Sequence, residues 1–483
     1  MLNALVLLSR AIYEERFSLY HIRFGLCLLL ALPACSLLDV IDSSESVPPE
    51  PSNTSSTGDP IQQLKSLATD TGDVDAQIRL GEMYVIGHEV SQDYEQAGHW
   101  YHLAADQGST KAQLRLAEMY TMGHGFSQDH AEAGRWYQLA ASQGDVLAQL
   151  RLGRMYDQSD DDPPDYRKAS HWYHMAANQG DAQAQMRLGE MYDWGQAVPQ
   201  NYQEASLWYR MAANQGDAQA QMRLGEMYDW GQGVVQDYQE ANAWYLMAAK
   251  QGHMQAQMRL GDMLEQGQGV TRDPAAASRW YLRVAESGHS FAQIQVAKMY
   301  AEGRGVTQNH EEAARWYERA ASLGDPLAQV PIGMMYERGN GVTRDYVAAS
   351  RWYQLAADQG DALAQMYLGE MYQAGRGVPQ DYMMATEWYV RSADQGHQEA
   401  QYKLGSLYAL RKDYIRAHKW LNLCAASGHE PAQTKFVGIA SEMTPEQIEE
   451  AQQLARHWKV TKHRQASSEA GADDSKGTST NDS

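Results

Sequence analysis

Paired histidines are the residues of this sequence whose types and spacing come nearest to metal chemistry. His99 and His102, and again His171 and His174, stand three residues apart, a spacing that places two rings on one face of a helix. A metal site would need further ligands, and no others are spaced to join these pairs. The acidic run Asp160–Asp162 lacks the alternating ligands and the glycine of a calcium loop. We therefore expect exposed histidines, a solvated loop and no metal site.

Groups for covalent or acid–base catalysis are equally missing from the sequence. It contains no nucleophile elbow, no ordered set of serine, histidine and aspartate, and no phosphate-cradling glycine loop. The recurring Gly-x-Gly segments stand between two helical patterns and are interpreted as helix connectors. The sequence predicts a protein that is not an enzyme and that needs no cofactor.

Tryptophan and glutamine recur so regularly that most of them are predicted to be structural. A glutamine column runs from Gln77 to Gln433, and we interpret it as a hydrogen-bonding column because a ligand contact would vary along it. Ten tryptophans form a ladder, which is typical of packing. Its members are Trp100, Trp136, Trp172, Trp208, Trp244, Trp280, Trp316, Trp352, Trp388 and Trp420. Within the same region, only Trp194 and Trp230 stand outside the ladder.

A repeat of 36 residues positions all of these side chains. The 22 residues of Met175–Gln196 recur unchanged at Met211–Gln232. Nine units cover Asp73–Gly396, and a tenth, His397–Gly428, has a shortened loop. Each unit holds two helical patterns. In Asp217–Gly252, Asp217 and Asp237 are in position to cap the two helices, and glycines end them. A lone helix pair cannot bury its faces of small residues, so we expect the pairs to stack.

The unit pattern AxAQxxLGxMYxxGxGVxxDYxxAxxWYxxAAxxG resembles the Sel1-like repeat, a relative of the tetratricopeptide repeat. The resemblance extends over most of the 483 residues. It implies an all-α fold, a right-handed superhelical α-solenoid of helix-turn-helix repeats. It also implies a scaffold that binds proteins, often in bacterial envelopes or in signalling assemblies.

The resemblance further implies that first helices build the binding wall, through their second, fifth, ninth, twelfth and thirteenth positions. In the fourth to sixth units these positions predict a protein-binding groove of aromatic, Met and acidic side chains. Its residues are Met186, Glu190, Asp193, Trp194, Met222, Glu226, Asp229, Trp230, Met258, Asp262, Glu265 and Gln266. An arginine column precedes the acidic one by three residues, and local pairing explains most of it. Recent duplication of the unit is the alternative explanation for Trp194 and Trp230.

The first 60 residues lie outside the repeats and have the features of an export signal. Basic residues precede the apolar run Phe24–Leu32, which is too short to cross a bilayer but suits a secretory signal. The segment Leu32–Cys35 follows and resembles a bacterial lipobox, in which cleavage leaves Cys35 to be lipidated. The residue after Cys35 is Ser36 and not aspartate, and in this respect the sequence resembles lipoproteins that are sent to the outer membrane. A plain signal peptide with an incidental cysteine is the alternative.

These features predict a linear order of segments. They are a lipoprotein signal peptide over 1–34, a flexible tether over 35–58, a capping helix over 59–72, ten repeats over 73–428, capping helices over 429–459 and a disordered tail over 460–483. The tether and the tail have few large apolar residues with which to fold.

Charge and composition narrow the choice of partner. The net charge of −21 and the pI of about 5.2 argue against nucleic acid, which needs a positive surface, and favour basic partners. We therefore expect a periplasmic adaptor, bound to the outer membrane through its lipid anchor only. Its groove is predicted to hold a basic or amphipathic segment of another envelope protein. The alternative is binding of envelope polysaccharide or peptidoglycan, because tryptophan faces beside carboxylates also suit sugars.

Overall fold

The computed structural model describes residues 60–158 and 164–458. The predicted signal peptide, Cys35, the tether, the run Asp160–Asp162 and the tail lie outside these described residues. Every regular element within them is a helix. The chain divides into two units, Met1–Leu67 and Ala68–Ser483. In the first, helix α1 is Pro60–Ser66; a short π-helical turn, Leu67–Thr71, follows it in sequence.

Ten helix pairs make up most of the second unit. In each pair the even-numbered helix is called the first helix and the odd-numbered one the second. The bounds are α2 Val74–Ile86, α3 Tyr94–Asp106, α4 Thr110–Met122, α5 His130–Ser142, α6 Val146–Asp157, α7 Tyr166–Asn178, α8 Ala182–Trp194, α9 Tyr202–Asn214, α10 Ala218–Trp230, α11 Tyr238–Lys250, α12 Met254–Gln266, α13 Pro274–Glu286, α14 Ser290–Glu302, α15 His310–Ser322, α16 Pro326–Arg338, α17 Tyr346–Asp358, α18 Ala362–Ala374, α19 Tyr382–Asp394, α20 Gln398–Leu410 and α21 Tyr414–Ala425. Helix α22, Glu430–Ala440, and helix α23, over 445–458, follow them.

Each helix of the pairs packs against the next one along the chain, both within a pair and between pairs. This succession of stacked helix pairs confirms the predicted all-α solenoid.

Side-chain caps decide where these helices begin. In all 21 helices from α2 to α22 the residue before the helix accepts a hydrogen bond from a backbone N–H of the first turn, and in fourteen of them that residue is aspartate. A carboxylate at a helix N-terminus also interacts favourably with the helix dipole. Fourteen of the 61 acidic residues of the chain therefore serve helix initiation.

In seven of the ten pairs a glycine of the first helix closely approaches a tyrosine of the second. A Cβ added at Gly189 would lie 2.4 Å from the Tyr209 ring, and one added at Gly225 would lie 2.6 Å from the Tyr245 ring. Both tyrosines are fully buried. The tryptophans of the ladder are buried or pack against the same clusters of core residues, as predicted.

The glutamine column joins neighbouring units by hydrogen bonds. Gln185 Nε2 donates to the carbonyl of Ala177 over 3.1 Å, and its Oε1 accepts from Gln215 Nε2 over 2.7 Å. The same pair of bonds recurs around Gln77, Gln113, Gln149, Gln221, Gln329 and Gln365. We call this arrangement the glutamine spine, and it confirms the structural role predicted for the column.

Candidate functional site

One face of each first helix is left accessible by the packing. In α8, positions 3, 4, 7 and 8 are buried, whereas Gln183, Arg187, Glu190 and Trp194 at positions 2, 6, 9 and 13 are exposed or half-buried. Residues three or four apart share one face of a helix, so these four positions form a line along it. We call positions 2, 6, 9 and 13 of a first helix its stripe.

The stripes of neighbouring units touch one another. A side chain at position 2 or 6 reaches back to position 9 of the preceding first helix. Lys111 is paired with Glu82 at 2.9 Å, Arg154 donates to Gln183 over 2.7 Å, and Lys403 is paired with Glu370 at 2.7 Å. The stripes therefore join into one accessible surface along the first helices, in which Glu226, at position 9 of α10, is the one buried member.

Trp194 and Trp230 are the large aromatic residues of this surface in the fourth and fifth units. They end α8 and α10, and 46 % and 43 % of their surface is exposed. The Arg187 guanidinium lies 5.7 Å from the centre of the Trp194 ring, a distance at which a cation and a ring attract each other. Two rings at equivalent ends of adjacent helices offer apolar area that no described residue covers.

Arginine and tyrosine hold the carboxylates beside these rings. Arg187 is paired with Glu190 at 2.9 Å, and Arg223 with Glu226 at 3.0 Å. The hydroxyl of Tyr209 donates to Asp193 over 3.2 Å.

The same pattern continues into the sixth unit. The hydroxyl of Tyr245 donates to Asp229 over 3.2 Å, and Arg259 is also paired with Asp229. Tyr281 donates to Asp262 over 2.6 Å.

Burial sets the ionisation of this group of side chains. It raises the pKa of Glu190, Asp193, Glu226 and Asp262 above the ordinary values, and the nearby arginines oppose the rise. Burial by itself would lower the pKa of Arg223, but Glu226, Tyr209 and Asp193 together favour its charged form and raise that pKa. Partly desolvated carboxylates interact strongly with any further cation that approaches them.

Comparison with known proteins assigns the chain to a family. Ten consecutive segments match the Sel1 repeat, at residues 74–109, 110–145, 146–181, 182–217, 218–253, 255–289, 290–325, 326–361, 362–397 and 398–429. The chain belongs to the Sel1 repeat family. Proteins of Sel1 repeats generally serve as scaffolds that bind other proteins, and this agrees with the predicted kind of partner.

Two solved Sel1 repeat structures are similar over most of this chain. One is c5321, a protective antigen of uropathogenic Escherichia coli with an SLR fold; it is 35 % identical over 82 % of this chain and 86 % of its own, with a TM-score of 0.68. The other is a Sel1 repeat protein from Oxalobacter formigenes, 33 % identical over 68 % of this chain and 98 % of its own, with a TM-score of 0.53. Among curated proteins, none matches this sequence.

The Sel1 repeat geometry corrects part of the predicted groove. Met186 and Met222 are only 8 % and 2 % exposed, because position 5 faces the core. The prediction that these two residues supply contact area is therefore wrong. Glu226 and Asp229 are also buried. Their carboxylates bind Arg223, Arg259 and Tyr245 instead of facing solvent.

The remaining predicted residues stay near the surface. Trp194 is exposed and ends α8 beside half-buried Glu190 and Asp193, and Trp230 is exposed at the end of α10. In the sixth unit Met258, Asp262 and Glu265 are half-buried, and Gln266 is exposed at the end of α12. A binding role for these residues stays a prediction.

Sequence reasoning missed two members of the site. Position 6 belongs to the stripe, so the arginine column is part of the surface as well as a set of local partners. Asp157 is buried and binds Arg187 through both carboxylate oxygens, at 2.6 and 2.7 Å, and it also accepts from Tyr173. The repeat register contains a signal for Asp157, because it stands 36 residues before Asp193.

The histidine pairs divide between surface and interior. His99 and His171 are exposed, as expected, but His102 and His174 are half-buried against the next unit. His102 lies 3.1 Å from the Tyr120 hydroxyl and packs edge-on against Trp136. Among the described residues, no group of three or more histidine, cysteine, aspartate or glutamate side chains is arranged to hold a metal ion. None of the described helices has the length and apolar character needed to span a membrane.

Proposed function

We propose that this Sel1 repeat protein is a non-catalytic scaffold whose fourth to sixth units hold a basic or amphipathic segment of a partner protein. The observation that carries the proposal is the pair of exposed rings, Trp194 and Trp230, at equivalent positions beside partly desolvated carboxylates. Exposed tryptophan flanked by charged groups is typical of residues that dominate binding energy at protein interfaces.

The local charge favours a cationic segment. Six carboxylates of these units lie on or beside the stripes, and fewer arginines neutralise them. The carboxylates are Glu190, Asp193, Glu226, Asp229, Asp262 and Glu265, and the arginines are Arg187, Arg223, Arg259 and Arg304. A lysine or arginine of the partner would neutralise the excess negative charge. We therefore expect the charges to determine which partner binds, and the tryptophan rings to supply the contact area.

Replacement of the two rings tests the proposal. Trp194→Ala together with Trp230→Ala should weaken binding of a partner crosslinked in the cell envelope at least about tenfold, with unchanged helicity. The matched control is Leu207→Ala with Met211→Ala, because these residues are as exposed but lie on a second helix, α9. Equal partner recovery from the ring variant and the native chain would contradict the proposed groove.

The proposed place of action is the periplasm, with a lipid on Cys35 that anchors the chain in the outer membrane. The support is the apolar run Phe24–Leu32 with a cysteine directly after it. Metabolic labelling with a fatty-acid analogue should mark the native chain and not Cys35→Ser, and the variant should leave the membrane fraction. A labelled Cys35→Ser chain would contradict the anchor.

Binding of envelope polysaccharide or peptidoglycan is a second candidate, since exposed tryptophan rings beside carboxylates also stack on sugars. Sedimentation with purified cell wall separates the two candidates. Cosedimentation that is lost in Trp194→Ala with Trp230→Ala would favour the sugar over a protein partner.

A further inference from the structure

The stripes change character at the seventh unit. In units one to six, position 6 is always arginine and position 9 is charged. In units seven to nine, six of the twelve stripe positions are instead occupied by large apolar or aromatic residues or by proline. The apolar members are Phe291 on α14, Leu327, Pro331 and Met334 on α16, and Leu363 and Tyr367 on α18. We call these six residues the apolar patch.

The members of the apolar patch are accessible and lie on three consecutive first helices. Phe291, Leu327 and Leu363 are exposed, and the other three are half-buried. Met334 at position 9 precedes Leu363 and Tyr367 at positions 2 and 6, which are the positions that touch in the ion-paired units. Met334 and Tyr367 also pack against the same cluster of core residues. The patch is therefore a continuation of the surface formed by the stripes, with apolar side chains in place of ion pairs.

A recess of about 260 Å³ opens within the patch. It lies between α15 and α16, and its lining includes Pro331, Met334 and Arg338. Sites for small molecules typically measure about 300–1,000 Å³, so this recess suits a single large apolar side chain better than a whole ligand. An anchor residue that fills a pocket at the centre of a contact is typical of protein-binding hot spots.

The charges around the patch distinguish one kind of partner from another. Its carboxylates are already used, because Glu302 pairs with Arg304, Glu337 with Arg376, and Glu370 with Lys403. Among the described residues, no carboxylate forms an ion pair with Lys298 or Arg338, at positions 9 and 13 of their stripes. The charge left to a partner here is positive, opposite in sign to that of the fourth to sixth units.

We infer that the apolar patch binds an acidic amphipathic peptide segment, with one large apolar side chain in the recess and carboxylates on Lys298 and Arg338. The inference rests on the proposed scaffold function, but it uses none of the residues of the Trp194 and Trp230 groove. A partner that contacts both surfaces would carry a basic stretch and an acidic amphipathic stretch in sequence.

The repeat supplies a variant that removes the patch without harm to the fold. Pro331→Arg with Met334→Glu restores the arginine and glutamate that the fourth and fifth units carry at these positions, as in Arg187 with Glu190. The matched control is Trp194→Ala with Trp230→Ala. The probes are two labelled helical peptides with the same leucine spacing, one with a glutamate polar face and one with a lysine polar face. Their binding to the full chain is measured by fluorescence anisotropy.

The acidic peptide should bind at least about tenfold more tightly than the basic one. Its binding should be lost in the Pro331 and Met334 variant, should weaken in Arg338→Glu, and should persist in the tryptophan variant. Equal binding of both peptides, or binding that the Pro331 and Met334 variant retains, would overturn the inference. So would dissociation of a dimer by that variant without any peptide binding, since a second copy would then be the occupant. Loss of the native partner in the tryptophan variant, together with acidic-peptide binding that the Pro331 and Met334 variant retains, would leave the proposed function standing and this inference refuted.

Discussion

Two residues interrupt the glutamine spine, Ser287 and Leu323, and the second leaves a buried oxygen without a donor. Leu323 stands where seven units have a glutamine that donates to the spine, and the buried Gln293 Oε1 has no hydrogen-bond partner among the described residues. Leu323→Gln should supply the missing donor and stabilise the seventh unit by about 1 kcal/mol. Slower hydrogen exchange in α14 would show this effect.

The adjacent unit provides the control for this substitution. Gln359→Leu removes the donor to Gln329, now held at 2.9 Å, and should speed exchange in α16 by a similar factor. If Gln359→Leu has this effect and Leu323→Gln has none, the explanation of the orphaned Gln293 oxygen is wrong.

The two nearly identical units differ at a residue with unusual backbone angles. Ala197 has φ of 61°, whereas the equivalent Gly233 has φ of 68°. A residue with a Cβ in this left-handed region is strained by about 1–2 kcal/mol. Ala197→Gly should therefore raise the denaturation midpoint of the chain. Gly233→Ala should lower it further than Ala197→Gly raises it, since the new Cβ would lie 2.0 Å from the Tyr202 carbonyl oxygen. Equal midpoints for the two variants would contradict this explanation.

At the scale of residues, regular columns were predictable and orientation was not. The glutamine column was correctly interpreted because every unit repeats the same hydrogen bonds. Met186 was placed on the surface because the mapping of positions came from a resemblance. A shift of one residue rotates a side chain by about 100° around a helix, so position 5 faces the core and position 6 the surface. Sequence alone does not fix that rotation.

Four helices begin at a histidine instead of an aspartate. The caps are His253 on α12, His289 on α14, His397 on α20 and His429 on α22. In each, Nδ1 accepts a backbone N–H at 3.2 to 3.4 Å. An accepting Nδ1 must be unprotonated, and a charged ring would also face the positive end of the helix dipole.

These caps predict a loss of stability in mild acid. Burial lowers the pKa of His253, His289 and His397 below the ordinary 6.5. Arg223 lowers that of His253 further, while Asp217 opposes it; Glu399 and Asp361 oppose the shift at His397. Since the folded state favours the neutral rings, their stabilisation is complete above about pH 6.5 and is lost as the pH falls toward the lowered values.

Denaturation midpoints at pH 7.5 and pH 5.5 measure this effect. The native chain should lose stability between the two, and a chain with His253, His289 and His397 changed to aspartate should lose less. Part of the loss should remain in both chains, because burial also lowers the pKa of His102, His174 and His418. Asp181 and Asp217 already cap α8 and α10 in this way. Equal pH dependence of the two chains would show that the caps are not the sensitive groups.

Helices could be predicted from the sequence almost residue by residue, but their partners across units could not. Caps and terminal glycines are local signals, and they fix where a helix begins and ends. No local pattern pairs Asp157, which ends α6 and is buried, with Arg187, thirty residues further along. Such contacts depend on how units stack. The apolar patch could not be predicted for the same reason, because its residues come from three first helices that only stacking brings together.

For the molecule as a whole, the last helices protect the end of the stack. Cys424 on α21 is fully buried in a cluster with Ile439, Met443 and Ala451, and burial raises the pKa of its thiol to about 11. Deletion of residues 429–458 should expose this thiol and raise its rate of alkylation at pH 8 at least about tenfold.

The measurement needs a chain with Cys27 and Cys35 changed to serine, so that Cys424 is the reactive thiol. Hydrogen exchange in α8 and α10 serves as the control, because units far from the deletion depend mainly on their own neighbours. Unchanged alkylation after the deletion would show that α22 and α23 do not shield the tenth unit.

The glutamine spine has a consequence for how the number of units can change. Because Gln251 donates to Gln221 just as Gln215 donates to Gln185, excision of the whole block 217–252 joins Gly216 to His253 with every spine bond in register. Loss or gain of one whole unit thus keeps the spine intact. Recombination between the two identical segments would remove or add one exposed tryptophan ring with each unit, while the ring nearest the apolar patch would keep its separation from Phe291. Such an event changes the number of rings in the row and leaves the place where the row ends unaltered.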